Sequence, residues 1–155
     1  MYRIDSERCI KIFKRKRVCK DEFETLFIAQ ADIHFPKLYY AGEDYIVREC
    51  INGIELNKYL LNHSFEPWIS AGIIGIYEAM KKVDFTRLDS TLFHVFVTSE
   101  NSFKLIDTSK ALRKKTEYPG LILRGLNKLG CKEEFLDFVK YAKPDLYIKW
   151  TEYPG

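Results

Sequence analysis

The sequence has 155 residues, enough for one compact domain or for two small lobes that share a cleft. Hydrophobic residues make up 46% and charged residues 30%, a balance that is typical of a globular protein and excludes a disordered one. The formal net charge is only +3, so charge alone indicates no polyanionic partner. The apolar runs fall short of the roughly 18 residues that predict a membrane span, so no membrane partner is expected.

The first third of the chain predicts strands with one helix between them. Residues 8–13 are rich in β-branched and aromatic side chains and predict a strand that carries Lys11 near its centre. Apolar side chains at helical spacing predict a helix over residues 21–31. Residues 34–40 and 45–51 flank a short turn that contains glycine, which predicts a β-hairpin.

The remainder of the chain predicts mainly helices. Residues 67–82 place apolar side chains on one face of a helix that begins with proline. Residues 93–98 and 102–106 predict a second hairpin. Strands therefore dominate early and helices late, which predicts an α+β fold that changes character near Asn52. Two further helices are predicted at residues 121–129 and 133–141. Gly130 and Pro144 are predicted to end them.

The cysteines predict thiols rather than a metal site. The sequence contains no C-x-x-C pair, and its three histidines are scattered, so no zinc site is predicted. Cys9 and Cys50 stand in apolar, strand-like segments, which favours small buried thiols. The N-terminus lacks the pattern of a secretory signal, so we expect a cytoplasmic protein with reduced cysteines. The four cysteines are Cys9, Cys19, Cys50 and Cys131.

A basic run is the strongest local concentration of charge. It comprises residues 14–17, all lysine or arginine, and is followed by Lys20. Such a run usually forms a solvated surface turn, and the alternative is contact with nucleic acid or an acidic partner. Because a nucleic-acid partner rests on this run alone, it ranks last among the predicted functions.

Three charged residues stand in or beside apolar, strand-like segments, where an ion is costly unless it is paired or functional. Lys11 is flanked on both sides by apolar residues. Asp107 ends the run of residues 103–107, and Asp89 precedes the companion strand at 93–98. A carboxylate at the end of a strand can project into a cleft and hold a metal ion.

The order and spacing of these residues resemble the protein kinases, especially compact bacterial proteins of the serine/threonine type. Lys11 fits the strand lysine of that family, and Glu22 fits the helix glutamate that orients it, with Glu24 as the alternative. Glu49 and Cys50 fit the hinge between the lobes, where the family binds the nucleotide base. The resemblance covers nearly the whole chain.

The second half of the kinase pattern falls on three further residues. Asp89 fits the aspartate of the catalytic loop, and His94 falls where the family has a metal-binding asparagine. Asp107 fits the aspartate that binds Mg²⁺. The resemblance implies a two-lobed protein kinase-like fold. Residues 1–51 would form a truncated small lobe with an antiparallel sheet and one helix, and residues 52–155 a mostly helical large lobe.

The resemblance also implies ATP and Mg²⁺ as cofactors. Lys11 would hold the α- and β-phosphates, oriented by Glu22, and Asp107 would bind Mg²⁺. Asp89 would accept or orient the proton of the attacking hydroxyl. His94 would be a weak metal ligand at best, because Mg²⁺ prefers oxygen.

The sequence departs from the kinase pattern at the phosphates and around the metal. No G-x-G-x-x-G motif precedes Lys11, so we expect either further sequence upstream or a site without this lid. The triplet at residues 107–109 reads Asp-Thr-Ser rather than Asp-Phe-Gly. No segment resembling Ala-Pro-Glu follows it, so the activation segment is expected to be minimal.

Each assignment also has a structural alternative. Lys11 could extend from an edge strand into solvent. Glu22 could be an acid favoured by the positive end of its helix. Asp89 and Asp107 could cap turns, and His94 could be a hydrogen-bonded interior histidine.

Three functions follow, in order. The first is a phosphotransferase that uses ATP and Mg²⁺ to phosphorylate serine or threonine of a protein substrate. The second is a pseudokinase, a binding module that meets a regulatory partner and transfers phosphate slowly or not at all. The third is a small-molecule kinase that acts on a sugar or an aminoglycoside.

Overall fold

The computed structural model describes residues 1–152 as an α+β fold with antiparallel sheets and six α-helices, which confirms the predicted class. Residues 153–155, the end of the predicted large lobe, lie outside the described part. Across residues 1–152, no helix combines the length and the apolar character needed to cross a membrane.

The first sheet has four strands in the spatial order β1-β2-β4-β3. Strands β2 and β4 are antiparallel, with Lys11 opposite Ile46 and Cys9 opposite Arg48. The predicted strand and hairpin are confirmed, although residues 34–37 are not part of a strand. The four strands β1 to β4 are Tyr2–Arg3, Arg8–Ile12, Leu38–Ala41 and Tyr45–Glu49.

Helix α1 (Lys16–Ile28) connects β2 to β3 and continues into a 3₁₀ turn at Ala29–Ala31. It begins five residues earlier than its apolar spacing predicts, inside the basic run. The four basic side chains at residues 14–17 are exposed, as a solvated run requires. The helix buries Cys19 and Leu26 in the core, which fixes the face that it turns toward the sheet.

The second sheet consists of β5 (Gly53–Glu55), β6 (Val95–Thr98) and β7 (Phe103–Leu105), in that order. Helix α3 (Pro67–Lys82) has the predicted bounds and packs against β7. Gly72 lies against the ring of Phe103, where a Cβ atom would clash, so glycine allows this close approach. The buried side chains of α3 are Ile69, Ser70, Ile73, Ile74, Ile76, Tyr77, Ala79 and Met80.

One strand and two helices were not predicted, whereas the helices predicted at residues 121–129 and 133–141 are close to those observed. Asn52 and Gly53 predict the end of a strand, but a new strand, β5, begins at Gly53. Helix α2 (Leu56–Asn62) follows it. The prediction of Pro144 as a stop is wrong, because Pro144 begins helix α6, where proline is well tolerated. Helices α4, α5 and α6 are Gly120–Lys128, Lys132–Ala142 and Pro144–Glu152.

The prediction of reduced cysteines is wrong for one pair. Cys9 and Cys50 form a disulfide, with Cα atoms 5.2 Å apart. Cys19 and Cys131 are free thiols, and burial raises the pKa of both. The disulfide joins β2 to the segment that leaves β4 toward the second sheet.

Candidate functional site

Strand β2 and helix α1 bring Lys11 and Glu22 together. The Nζ atom of Lys11 lies 2.8 Å from Oε2 of Glu22. The Glu22 side chain is only 3% exposed, against 26% for Lys11. Burial raises the pKa of Glu22 above its ordinary value, although the Lys11 ammonium opposes the shift. Glu24 is exposed, so Glu22 is the partner of the lysine.

Asp107 lies on the other side of Lys11, directly beyond the end of β7. Its Oδ2 atom is 3.8 Å from Nζ of Lys11 and 3.6 Å from Nε2 of His94. The Ser109 hydroxyl donates to Oδ1 at 3.0 Å, which fixes the orientation of the carboxylate. Burial raises the pKa of Asp107, but Lys11, Ser109 and His94 outweigh it and hold this pKa below its ordinary value. Asp107 is therefore ionised at neutral pH.

The backbone of Asp107 has a φ of +55°, in the left-handed region. Aspartate and asparagine adopt this conformation more readily than most residues. The turn points the carboxylate back toward Lys11, so the local geometry of the chain contributes to the site.

Two contacts hold α1 against the segment that carries Asp107. The hydroxyls of Thr25 and Thr108 lie 2.7 Å apart and are buried. Near the start of the helix, Asp21 forms an ion pair with Arg113. Sequence reasoning missed both contacts, because each joins residues more than 80 positions apart. Together they fix Glu22 relative to Asp107.

Asp89 is engaged as the cap of helix α4. One carboxylate oxygen accepts a hydrogen bond from the Leu121 amide at 2.8 Å, and the other accepts from the amides of Ile122 at 3.2 Å and Ser90 at 2.9 Å. Burial raises the pKa of Asp89 even though these three amides oppose the shift. The contact with the Ser90 amide is the predicted turn cap, and the cap of helix α4 was not predicted.

His94 ends the 3₁₀ turn at Leu92–His94 and lies beside Asp107. Burial lowers the pKa of His94, and the nearby Asp107 only partly offsets that effect. The imidazole is therefore neutral at pH 7. Asp89, His94 and Asp107 all line one cavity of about 270 Å³.

A metal ion at this site would depend on Asp107. Within residues 1–152, no group of three or more His, Cys, Asp or Glu side chains is arranged to hold a metal ion. Mg²⁺ usually keeps several waters and takes one or two carboxylates together with phosphate oxygens. Asp107 therefore fits a Mg²⁺ ion that arrives with a phosphate ligand, and His94 adds little as a nitrogen donor.

The predicted hinge residues are engaged in contacts within the chain. The sulfur of Cys50 is bonded to Cys9, and the Cys50 amide donates to the carbonyl of Glu7 at 2.8 Å. The Glu49 carbonyl accepts a hydrogen bond from the Arg48 guanidinium at 3.0 Å. The Glu49 carboxylate also pairs with Lys104 of β7 at 3.2 Å. Glu49 thereby links the two sheets.

Arg48 is a charged residue of the site that sequence reasoning missed. Its side chain is buried, at 5% exposure, and its Nε atom has no hydrogen-bond partner among residues 1–152. Burial lowers the pKa of the Arg48 guanidinium, while Glu22 and Asp107 oppose the shift, so both carboxylates lie within its field. Arg48 stands among apolar residues in β4, as Lys11 does in β2, but the kinase pattern assigned it no role.

No protein-family model matches the sequence, and a search of curated proteins finds no match. The function is therefore argued from the residues and their geometry.

Proposed function

We propose that this chain is a protein kinase-like module that binds a triphosphate through Lys11, with Mg²⁺ held by Asp107, and transfers phosphate poorly. One observation carries the proposal. The Lys11 ammonium lies 2.8 Å from the buried carboxylate of Glu22 and 3.8 Å from Asp107. In this reading the first sheet and α1 form the small lobe, and the chain from Asn52 onward forms the large lobe.

The arrangement suits an anionic ligand in three ways. Glu22 is too buried to bind a ligand itself, so it orients the lysine from behind. The Lys11 ammonium keeps 26% exposure of its side chain and can donate to phosphate oxygens. Asp107 is ionised and can take a Mg²⁺ ion that neutralises the same phosphates.

Two features argue for slow transfer. Both oxygens of the Asp89 carboxylate already accept backbone hydrogen bonds, so a substrate hydroxyl would have to compete with these amides for the carboxylate. His94 provides nitrogen where an oxygen ligand would suit Mg²⁺. Such a module would act by binding nucleotide and a regulatory protein partner.

A second candidate is active transfer of phosphate to serine or threonine of a protein. The observation in its favour is the cavity that Asp89, His94 and Asp107 share, which brings the predicted acid–base and metal residues together. A small-molecule kinase has less support. The resemblance would then imply an acidic substrate pocket in the large lobe, built from the late acids. However, Glu133 and Glu134 lie in the first turn of α5 and Asp145 in that of α6, where the helix dipole already favours acids.

The test combines ATP binding with a radiolabelled phosphotransfer assay on generic protein substrates. Lys11→Ala is the site variant. Lys16→Ala is the control, because Lys16 forms a pair of the same length, 2.8 Å, with Glu43 on the surface. We expect ATP binding that requires Lys11 but not Lys16, with transfer near background. Robust transfer that depends on Lys11 would favour the second candidate. Absence of nucleotide binding would refute both.

A further inference from the structure

The face of the first sheet that carries Lys11 also carries the disulfide. Side chains two residues apart in a strand point to the same face, so Cys9 and Lys11 share one face of β2. Residues opposite each other in adjacent strands also share a face, and Cys9 is opposite Arg48. Arg48 and Cys50 are again two residues apart. The disulfide and the Arg48 side chain therefore occupy the face next to the lysine.

The backbone groups at this edge are engaged as well. The Cys50 amide donates to Glu7, within the ladder between β2 and the chain after β4. The Glu49 carbonyl accepts from a guanidinium, and a charged donor makes the stronger kind of hydrogen bond. A nucleobase that approached Glu49 and Cys50 would have to compete with these hydrogen bonds. It would also meet the disulfide between Cys9 and Cys50, which occupies the same space.

Arg48 offers a buried donor near the same place that suits an anionic oxygen better than a neutral base. Arg48 is a buried cation within the field of Glu22 and Asp107, and its Nε–H is unpartnered among the described residues. An unpartnered buried donor is costly, and a ligand that approaches it with oxygen relieves part of that cost. An aromatic base edge carries fewer acceptors and no negative charge.

We propose that the site recognises the Mg²⁺-bound oligophosphate and does not read a nucleobase through Glu49 and Cys50. This inference rests on the proposed function and specifies its ligand. Its ligands are nucleoside triphosphates of any base, together with inorganic tripolyphosphate. Lys11 contacts the phosphates, and the disulfide with Arg48 closes the space that a base would need.

The experiment is titration calorimetry on the full chain without reductant, so that the disulfide stays intact. The probes are ATP, GTP and inorganic tripolyphosphate, each with Mg²⁺, and adenosine as a competitor. We expect the three phosphates to bind within about threefold of one another, less than roughly 0.7 kcal/mol apart. We also expect adenosine not to compete.

The outcomes separate the two proposals. If ATP binds more than about tenfold tighter than tripolyphosphate, or adenosine competes, this inference is overturned while the proposed function stands. If no phosphate binds, both fail. A paired variant, Cys9→Ala with Cys50→Ala, removes the disulfide. It should raise the affinity for ATP relative to tripolyphosphate, and an unchanged ratio would contradict the disulfide as the obstruction.

Discussion

The hydroxyl oxygens of Thr25 and Thr108 lie 2.7 Å apart in the interior, and they join helix α1 to the residue that follows Asp107. Thr25 lies one turn beyond Glu22 on α1, and its hydroxyl also contacts the carbonyl of Glu22 at 3.0 Å. This contact therefore joins the helical turn that carries Glu22 to the segment that carries Asp107, the two acids that pair with Lys11. A change at either threonine should alter the spacing of the site as well as its stability.

Replacing Thr108 with valine should destabilise the fold by about 1 kcal/mol, because the Thr25 hydroxyl loses a buried partner. The double variant with Thr25→Val should cost less than the sum of the two single changes. Chemical denaturation measures all three. Thr98→Val is a matched control, since Thr98 and Ser102 form an exposed hydroxyl pair at 2.6 Å. Additive effects of Thr25 and Thr108 would contradict the contact.

The buried Glu22 should give the stability a specific pH dependence. Its pKa is raised in the folded state from an ordinary value of 4.5, so the folded state binds its proton at a higher pH than the unfolded state does. The cost of ionised Glu22 is therefore present above the raised pKa and disappears as the pH falls below the ordinary one. Glu22→Gln lacks this cost at every pH.

Thermal unfolding of the parent and Glu22→Gln should show the effect. As the pH falls from above the raised pKa toward the ordinary value of 4.5, the stability of the parent should rise relative to that of the variant. Groups far from Lys11, such as Asp5, are common to both proteins and largely cancel in this difference. A constant difference, or one that moves the other way, would show that burial does not govern the Glu22 pKa.

Loss of the helix cap at Asp89 should mainly lower the free energy of unfolding. Asp89→Ala leaves the amides of Leu121 and Ile122 without their acceptor and should cost about 1–2 kcal/mol. Asp89→Asn keeps one acceptor oxygen and should cost roughly half as much. Asp137→Ala on the exposed side of α5 is the control, with little expected change. A parent-like midpoint for Asp89→Ala would contradict the cap and favour a role in transfer.

An oxygen ligand at position 94 should strengthen the binding of Mg²⁺ with ATP. His94→Asn replaces a neutral imidazole, 3.6 Å from Asp107, with an amide oxygen of the kind that Mg²⁺ prefers. We expect affinity to rise by at least about threefold, or roughly 0.7 kcal/mol. His63→Asn at the exposed end of α2 is the control. Equal or weaker Mg²⁺-dependent binding would separate His94 from the metal site.

Local pattern predicted most of the secondary structure. Helix α3 was predicted to the residue because its apolar stripe is long and begins with proline. The short elements β5 and α2 were missed because a few residues after Asn52 give too little periodicity to identify. Pro144 was misread because proline can either end a helix or begin one, and only tertiary packing decides which.

The candidate site was predictable in part. Lys11, Glu22, Asp107 and His94 lie together in the structure. Lys11 and Asp107 were singled out by their apolar strand contexts, whereas Glu22 and His94 were assigned only through the resemblance to the kinases. The contacts that position these residues are long-range, and no local sequence pattern predicts such contacts. The disulfide was missed because the pairing of Cys9 with Cys50 depends on the register between β2 and β4.

The central claim is that Lys11 and Asp107 together bind a triphosphate and Mg²⁺, and titration calorimetry with ATP tests it most directly. Lys11→Ala should weaken binding by about tenfold or more, because the phosphates lose their cation. Asp107→Asn, which keeps the left-handed turn, should remove the dependence on Mg²⁺. Lys16→Ala should bind as the parent does. Equal Mg²⁺-dependent affinity in Asp107→Asn and the parent would contradict the account.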